Sequence, residues 1–270
     1  MDDRPIGVFD SGLGGLTTVR ELCRLLPEED IVYFGDTGRV PYGSRSRETI
    51  VKYARQDVAF LRTFDLKTIV IACGTVSTTA LDVLAAENPI PVLGVVAPAA
   101  RAAARATRSG SIGLIGTQAS IRSGAYERLI RAENPAAWVL AQPCPLFVPL
   151  VENGRFRPGD VVIETVAAEY LAPLKAAGVD TLVLGCTHYP LLEKVIGAYM
   201  GPEVRLINSG AEGARAAADC LRERDALAGP GRGSCRCFVS DRQEDFSRLA
   251  STFLGWDVAQ AVEQVDISQY

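Results

Sequence analysis

Short apolar runs alternate along the chain with longer amphipathic stretches, and that alternation predicts repeated β-α units around mainly parallel sheets. The runs at 6–9, 31–34, 68–72, 92–95, 111–115, 138–141, 181–185, 204–207 and 237–239 predict strands. Stretches at 16–26, 48–64, 78–87, 124–133, 160–177, 190–200 and 212–224 predict helices. Residues 229–234 read Gly-Pro-Gly-Arg-Gly-Ser, the clearest linker-like segment, and predict a loop before a late strand.

The two halves resemble one another. Ile6-Gly7-Val8-Phe9-Asp10-Ser11 has a counterpart in Ile112-Gly113-Leu114-Ile115-Gly116-Thr117. Ile69-Val70-Ile71-Ala72-Cys73 has one in Leu182-Val183-Leu184-Gly185-Cys186. Any two βα units look alike, but chance explains poorly why both members of the second pair end in cysteine. The expected fold class is α/β, with two similar flavodoxin-like, doubly wound parallel-sheet domains and a site in the cleft between them. Residues 1–97 plus 208–270 would form the first domain, and 98–207 the second.

Composition narrows the class. The chain has 270 residues, 48% hydrophobic and 22% charged, which suits a globular protein with a sizeable core. A formal net charge of −4 offers no field to attract phosphate backbones, so nucleic acid is not an expected partner. The N-terminal residues lack a basic segment followed by a long apolar one, and the apolar runs are far too short for a membrane span. A cytoplasmic protein without a membrane partner is expected. Seven cysteines, an odd number without a secretory signal, argue against a disulfide framework. Cys235 and Cys237 form a C-x-C pair, but no second pair accompanies them and the sole histidine is distant, so no metal site is expected.

The chemistry gathers at strand ends, where ligands bind in open parallel sheets. Cys73 and Cys186 each follow a predicted strand and precede a loop and helix. A thiol near a helix N-terminus should have its thiolate stabilised, with a pKa below the usual value of about 8.5. Singly, each could be a small core residue; two in matching contexts favour function. His188, the only histidine, lies two residues after Cys186 and has the side chain best suited to move protons near neutrality. Asp10 ends the first strand, where it would face the same crevice or cap the following helix.

Gly12-Leu13-Gly14-Gly15 raises a dinucleotide fingerprint, but position 17 is threonine and no ribose-binding acid follows at the right distance. These glycines better suit a small anion, such as a carboxylate, held by backbone N–H groups. Pro41-Tyr42-Gly43 predicts a tight turn whose tyrosine is either substrate-facing or packed. Thr75, Ser77, Thr117, Ser120 and Thr187 are hydroxyls near strand ends, which either bind a polar ligand or cap helices.

Together these segments resemble the glutamate racemase family, within the aspartate/glutamate racemase superfamily. The resemblance rests on Gly7-Val8-Phe9-Asp10-Ser11-Gly12 with Gly14-Gly15-Leu16-Thr17, Gly35-Asp36-Thr37, Pro41-Tyr42-Gly43 and Ala72-Cys73. It continues through Gly116-Thr117 and 184–192, Leu-Gly-Cys-Thr-His-Tyr-Pro-Leu-Leu, and fades beyond about position 210. It implies cofactor-independent interconversion of L- and D-glutamate, supplying D-glutamate for peptidoglycan, by an enzyme that is often a homodimer. Cys73 and Cys186 would be the acid/base thiols, Asp10 would assist Cys73, and His188 with Glu152 would assist Cys186. Ser11, Pro41, Tyr42, Gly43, Gly74, Thr75, Thr117, Ser120 and Thr187 would contact substrate.

One position departs from the family pattern. Gly74 stands where the family usually has asparagine, so an amide expected to contact the substrate is missing. A racemase of another acidic amino acid such as aspartate is the nearest alternative. A catalytically silent binding protein and a thiol-disulfide protein are two others; the last requires Cys73 and Cys186 to bridge.

Overall fold

The computed structural model describes residues 1–256 and 262–270, and among these ten strands fall into two sheets. β1 (Ile6–Asp10), β2 (Ile31–Gly35), β3 (Thr68–Ile71), β4 (Val92–Gly94), β9 (Cys235–Val239) and β10 (Val262–Gln264) form a sheet of order β10-β9-β2-β1-β3-β4. β5 (Ser111–Gly116), β6 (Trp138–Pro143), β7 (Thr181–Leu184) and β8 (Arg205–Asn208) form the other, ordered β6-β5-β7-β8. Every pairing among the described residues is parallel.

Both sheets share one arrangement: within each, the first strand lies between the second and third, and the fourth follows the third. The register matches too. Ile6 pairs with Thr68 and Phe9 with Ile71 in one sheet, as Ile112 pairs with Thr181 and Ile115 with Leu184 in the other. The similarity between the halves is therefore structural: Cys73 and Cys186 both follow the third strand of their sheets. β1, β2, β3 and β7 are buried along their whole length, which explains why they read as unbroken apolar runs.

Side-chain caps fix several helix starts. Ser46 accepts from the Thr49 N–H at the start of Arg47–Leu61, Asp160 from Val162 before Val161–Ala176, and Asn208 from Ala211 before Ser209–Glu223. Helix Ser209–Glu223 packs on both Leu16–Leu25 and Val96–Ala106 and so ties the layers of the two sheets together.

The structure adds elements that the pattern did not predict. Helix Val96–Ala106 buries Val96, Ala99, Ala100, Ala103 and Ala104, a helical period hidden because alanine carries little apolar contrast. The predicted helix at 78–87 is two pieces, Gly74–Thr79 and Leu81–Glu87, broken at Ala80. A 3₁₀ turn, Tyr189–Leu192, precedes the helix Glu193–Met200. Phe147–Glu152, Gln118–Arg122 and Gln243–Leu254 are further unpredicted helices, and β10 is a three-residue edge strand. Segment 229–234 is anchored rather than free: Gly233 donates to the Pro27 carbonyl and Ser234 to Asp30.

Candidate active site

A cavity of about 400 Å³ opens where the ends of β1, β3, β5 and β7 face one another, a size that suits a small ligand. Cys73 enters it after β3 and Cys186 after β7; both are buried, free thiols. Ser11, Pro41, Tyr42, Gly43, Gly74, Thr75, Thr117, Glu152, Thr187 and His188 also line it. Among the described residues no cluster of three or more histidine, cysteine or acidic side chains could hold a metal ion, and no helix is long and apolar enough to cross a membrane.

The two thiols have different surroundings. Cys73 stands at the N-cap position of helix Gly74–Thr79 without a side-chain capping bond, and its Sγ lies 3.4 Å from Ser11 Oγ. Burial, reinforced by the charge of Asp10, nevertheless pushes this thiol up to about 12, so the expected lowering at a helix start does not occur. A six-residue helix with its first turn out of water cannot offset that desolvation. Cys186 precedes a 3₁₀ turn rather than an α-helix. Its partner is His188, whose Nδ1 lies 3.9 Å from Cys186 Sγ while Nε2 lies 2.9 Å from Glu152 Oε1. Burial would lower the imidazole pKa, but Cys186 and Glu152 outweigh it and lift His188 from 6.5 to about 10. The ring thus stays protonated at neutral pH, a cation beside Cys186.

Asp10 and Ser120 do not line the cavity and sit behind its wall. The buried Asp10 accepts from the Gly12 N–H at 3.0 Å and from the Thr187 hydroxyl at 3.4 Å, linking β1 to the segment after β7. Burial raises its pKa, partly countered by the charge of His188. Ser120 bonds to Thr117 through its own N–H and by a 3.0 Å hydroxyl contact, and Thr117 reaches Thr75 at 3.0 Å across the cleft. The strand-end hydroxyls that remain on the cavity wall are Ser11, Thr75, Thr117 and Thr187; Ser77 bonds to the Ile71 carbonyl instead.

The turn at 41–43 is present, but the tyrosine resolves toward packing. The Tyr42 hydroxyl is held by Asp36 and, at 3.0 Å, by Asp57, while the residue lines the cavity. Both carboxylates also receive Arg39, at 2.6 and 2.7 Å. This buried group pins the turn from behind. The sequence offered Asp36 inside a motif, but nothing local linked it to Asp57 on the next helix.

The glycine-rich stretch also differs from expectation. The Gly12 N–H is taken by Asp10, and a Cβ on Gly14 would lie 2.5 Å from His188 Nδ1 and 2.2 Å from Thr187 Oγ1. Gly14 is therefore glycine because the segment carrying His188 packs onto it. Gly74 has a similar reason: a Cβ there would stand 2.6 Å from the Gly185 carbonyl oxygen of the opposite sheet. Val40, Ser44, Gln118, Cys144, Pro145, Val148 and Pro149 also line the cavity and were not foreseen. A helix of six residues containing a proline, Phe147–Glu152, carries two of them, Val148 and Pro149, and its apolar composition gave no local sign of a cleft.

An α/β protein with paired sheets of one topology, each sending a buried thiol into a shared cavity, has the framework of a racemase that works from two faces. A family model described as Asp/Glu/Hydantoin racemase matches residues 9–217, and the chain belongs to that family of isomerases. The glutamate racemase of Geobacter metallireducens is 49% identical over 256 residues, covering 94% of this chain and 94% of that one. The crystal structure of the glutamate racemase from Francisella tularensis subsp. tularensis in complex with D-glutamate superposes with a TM-score of 0.92 at 37% identity, covering all of both chains. An aspartate racemase from Picrophilus torridus, at 17% identity and a TM-score of 0.54, shares the fold alone.

Proposed function

We propose that this enzyme interconverts L- and D-glutamate with its own two thiols as acid and base, and without a cofactor. The observation that carries this reading is the pair of buried free thiols, one from each sheet, opening on one cavity with unlike partners. Racemisation needs a base on one face of Cα and an acid on the other. Cys73, with its pKa raised to about 12, is suited to enter the cycle as the acid. Cys186, whose Sγ lies 3.9 Å from His188 Nδ1, is suited to enter as the base.

In this cycle Cys186 takes the Cα proton from one face and Cys73 gives its proton to the other. The product leaves with Cys186 protonated and Cys73 as thiolate, ready for the reverse conversion. Asp10, behind Cys73, and His188, held by Glu152, are positioned to help each thiol recover its proton state. Hydroxyls of Ser11, Thr75, Thr117 and Thr187 and the backbone at Pro41, Gly43 and Gly74 would hold the substrate's carboxylates and ammonium group. With lobes of 1–97 plus 208–270 and 98–207, closure over a small substrate would exclude water and strengthen those contacts. D-Glutamate for cell-wall peptidoglycan, made in the cytoplasm, is the product this predicts, and sedimentation will tell whether the chain works as a homodimer.

The test is incubation of purified protein with L-glutamate in D₂O, following optical rotation and Cα deuterium by NMR. Loss of rotation with deuterium entering Cα is expected. Cys73→Ala and Cys186→Ala should each abolish it while leaving the circular dichroism spectrum intact. Turnover in both directions by either variant would sink the two-thiol cycle, and exchange with L-aspartate but not L-glutamate would move the substrate.

A further inference from the structure

A second groove of about 540 Å³ lies beside the catalytic cavity. Three segments run from one to the other. Ser44 lines the cavity and Arg45 the groove; Gln118 lines the cavity and Ala119 the groove. Helix Gly74–Thr79 lines the cavity with Gly74 and Thr75, and the groove with Thr78 and Thr79. The groove and the cavity share no lining residue, but these three segments hold them side by side.

Its charge is one-sided. Arg45 and Arg47, following β2, face Arg122 and Arg128, following β5, and Asp82 is the single acid in its lining. Elsewhere Arg39, Arg55, Arg155 and Arg215 are held by carboxylates. Among the described residues none of the four groove arginines is ion-paired, and Arg128 donates only to the Ser123 carbonyl. Glu48, next to Arg47, lies outside the lining. Four exposed guanidinium groups thus gather in one groove beside the cavity of a chain whose formal net charge is −4.

We propose that this groove is an electropositive antechamber that concentrates anionic substrate beside the cavity. It takes small carboxylates, and for glutamate it rests on the function proposed above. The chain as a whole repels an anion, whereas the low-dielectric walls of the groove focus the field of the four arginines beside the cavity that the substrate must enter. Focused charge of this kind raises encounter by roughly 10- to 1000-fold, and salt removes it as the Debye length shrinks from about 30 Å at 0.01 M to about 3 Å at 1 M. Four side chains in an open groove belong at the low end of that range. The arginines touch none of the reacting atoms, so they act on entry and leave kcat alone.

The experiment reads entry independently of turnover. The full-length protein is alkylated with iodoacetate, an anion, and in parallel with iodoacetamide, its neutral analogue. The rates at Cys73 and Cys186 are followed by peptide mass spectrometry at about 10 mM and about 500 mM NaCl. The ratio of anionic to neutral rate should fall roughly 3- to 10-fold in Arg45→Gln/Arg47→Gln/Arg122→Gln, and by a similar factor in the native protein at high salt. Asp82→Asn should raise the ratio at low salt, which keeps a readout should the triple variant fold poorly. An unchanged ratio in both variants would overturn the antechamber. For L-glutamate the triple variant should lose kcat/KM and its salt dependence at constant kcat; a fall in kcat instead would also overturn it. A protein that does not racemise glutamate, yet shows the alkylation effect, would contradict the substrate and not the groove.

Discussion

Replacing Glu152 with glutamine removes the carboxylate from His188 and keeps a side chain of the same length. In the native protein burial works against the imidazolium, and Cys186 and Glu152 together hold the ring at about 10. A hydrogen bond to a charged group contributes about 1.5–3 kcal/mol, and one pH unit corresponds to about 1.36 kcal/mol. Glu152 has 34% of its side chain exposed, so water screens part of its effect and the lower bound applies. The His188 pKa should therefore fall by about one pH unit in Glu152→Gln. The chain contains a single histidine, so its imidazole resonances assign themselves and an NMR titration from pH 5 to 11 reads the midpoint directly. The sign carries over to stability. A raised folded pKa contributes fully below pH 6.5 and is lost as pH rises toward about 10. Urea unfolding should show the variant about 1.4 kcal/mol less stable at pH 6, with the gap closing above pH 10. A native midpoint near 6.5, or equal midpoints in the two proteins, would refute the coupling of Glu152 to the Cys186 side.

Three further substitutions probe other parts of the architecture. Gly74→Asn places a Cβ 2.6 Å from the Gly185 carbonyl oxygen, so it should force the facing segments apart. We expect about 1–3 kcal/mol of destabilisation and a raised KM for glutamate; a lower KM at unchanged Tm would mean the space is available. Lys67→Met strands the buried Glu29 carboxylate, which Lys67 pairs with while also donating to the Asp2 and Ala226 carbonyls at 2.7 and 2.9 Å. Unfolding free energy should drop by about 3–5 kcal/mol, and a loss below 1 kcal/mol by urea titration would contradict the pairing. Tyr42→Phe removes the hydroxyl shared by Asp36 and Asp57 behind the 41–43 turn. Stability should fall by about 1–3 kcal/mol and KM should rise with kcat retained; a kcat defect at normal KM would argue for direct participation of the hydroxyl.

The sequence by itself determined nine of the ten described strands and singled out the two cysteines. β1, β3, β5 and β7 are buried on both faces, and that environment demands unbroken apolar runs that can be read without knowing what covers them. The repetition of such a run ending in cysteine exposed the paired design, and the shared strand order and register show why it recurs. His188 was legible because it stands two residues from Cys186 and is unique in the chain. Glu152 was reached through family resemblance, since nothing in its surrounding segment marks it.

Only the tertiary structure decided the electrostatics and the reasons for the glycines. Whether a thiol at a strand end is acidic depends on how much water surrounds it, and burial with Asp10 nearby raises Cys73 despite its place at a helix start. The Tyr42 hydroxyl is held by Asp36 and Asp57, because two carboxylates on separate elements meet behind it. Gly14 and Gly74 are set by groups more than a hundred residues away, His188 and Gly185, pressing on them from the other sheet. Local pattern reports what a segment must bury. It carries no record of which distant segment will stand opposite, and that juxtaposition fixes charge, protonation and the shape of the site.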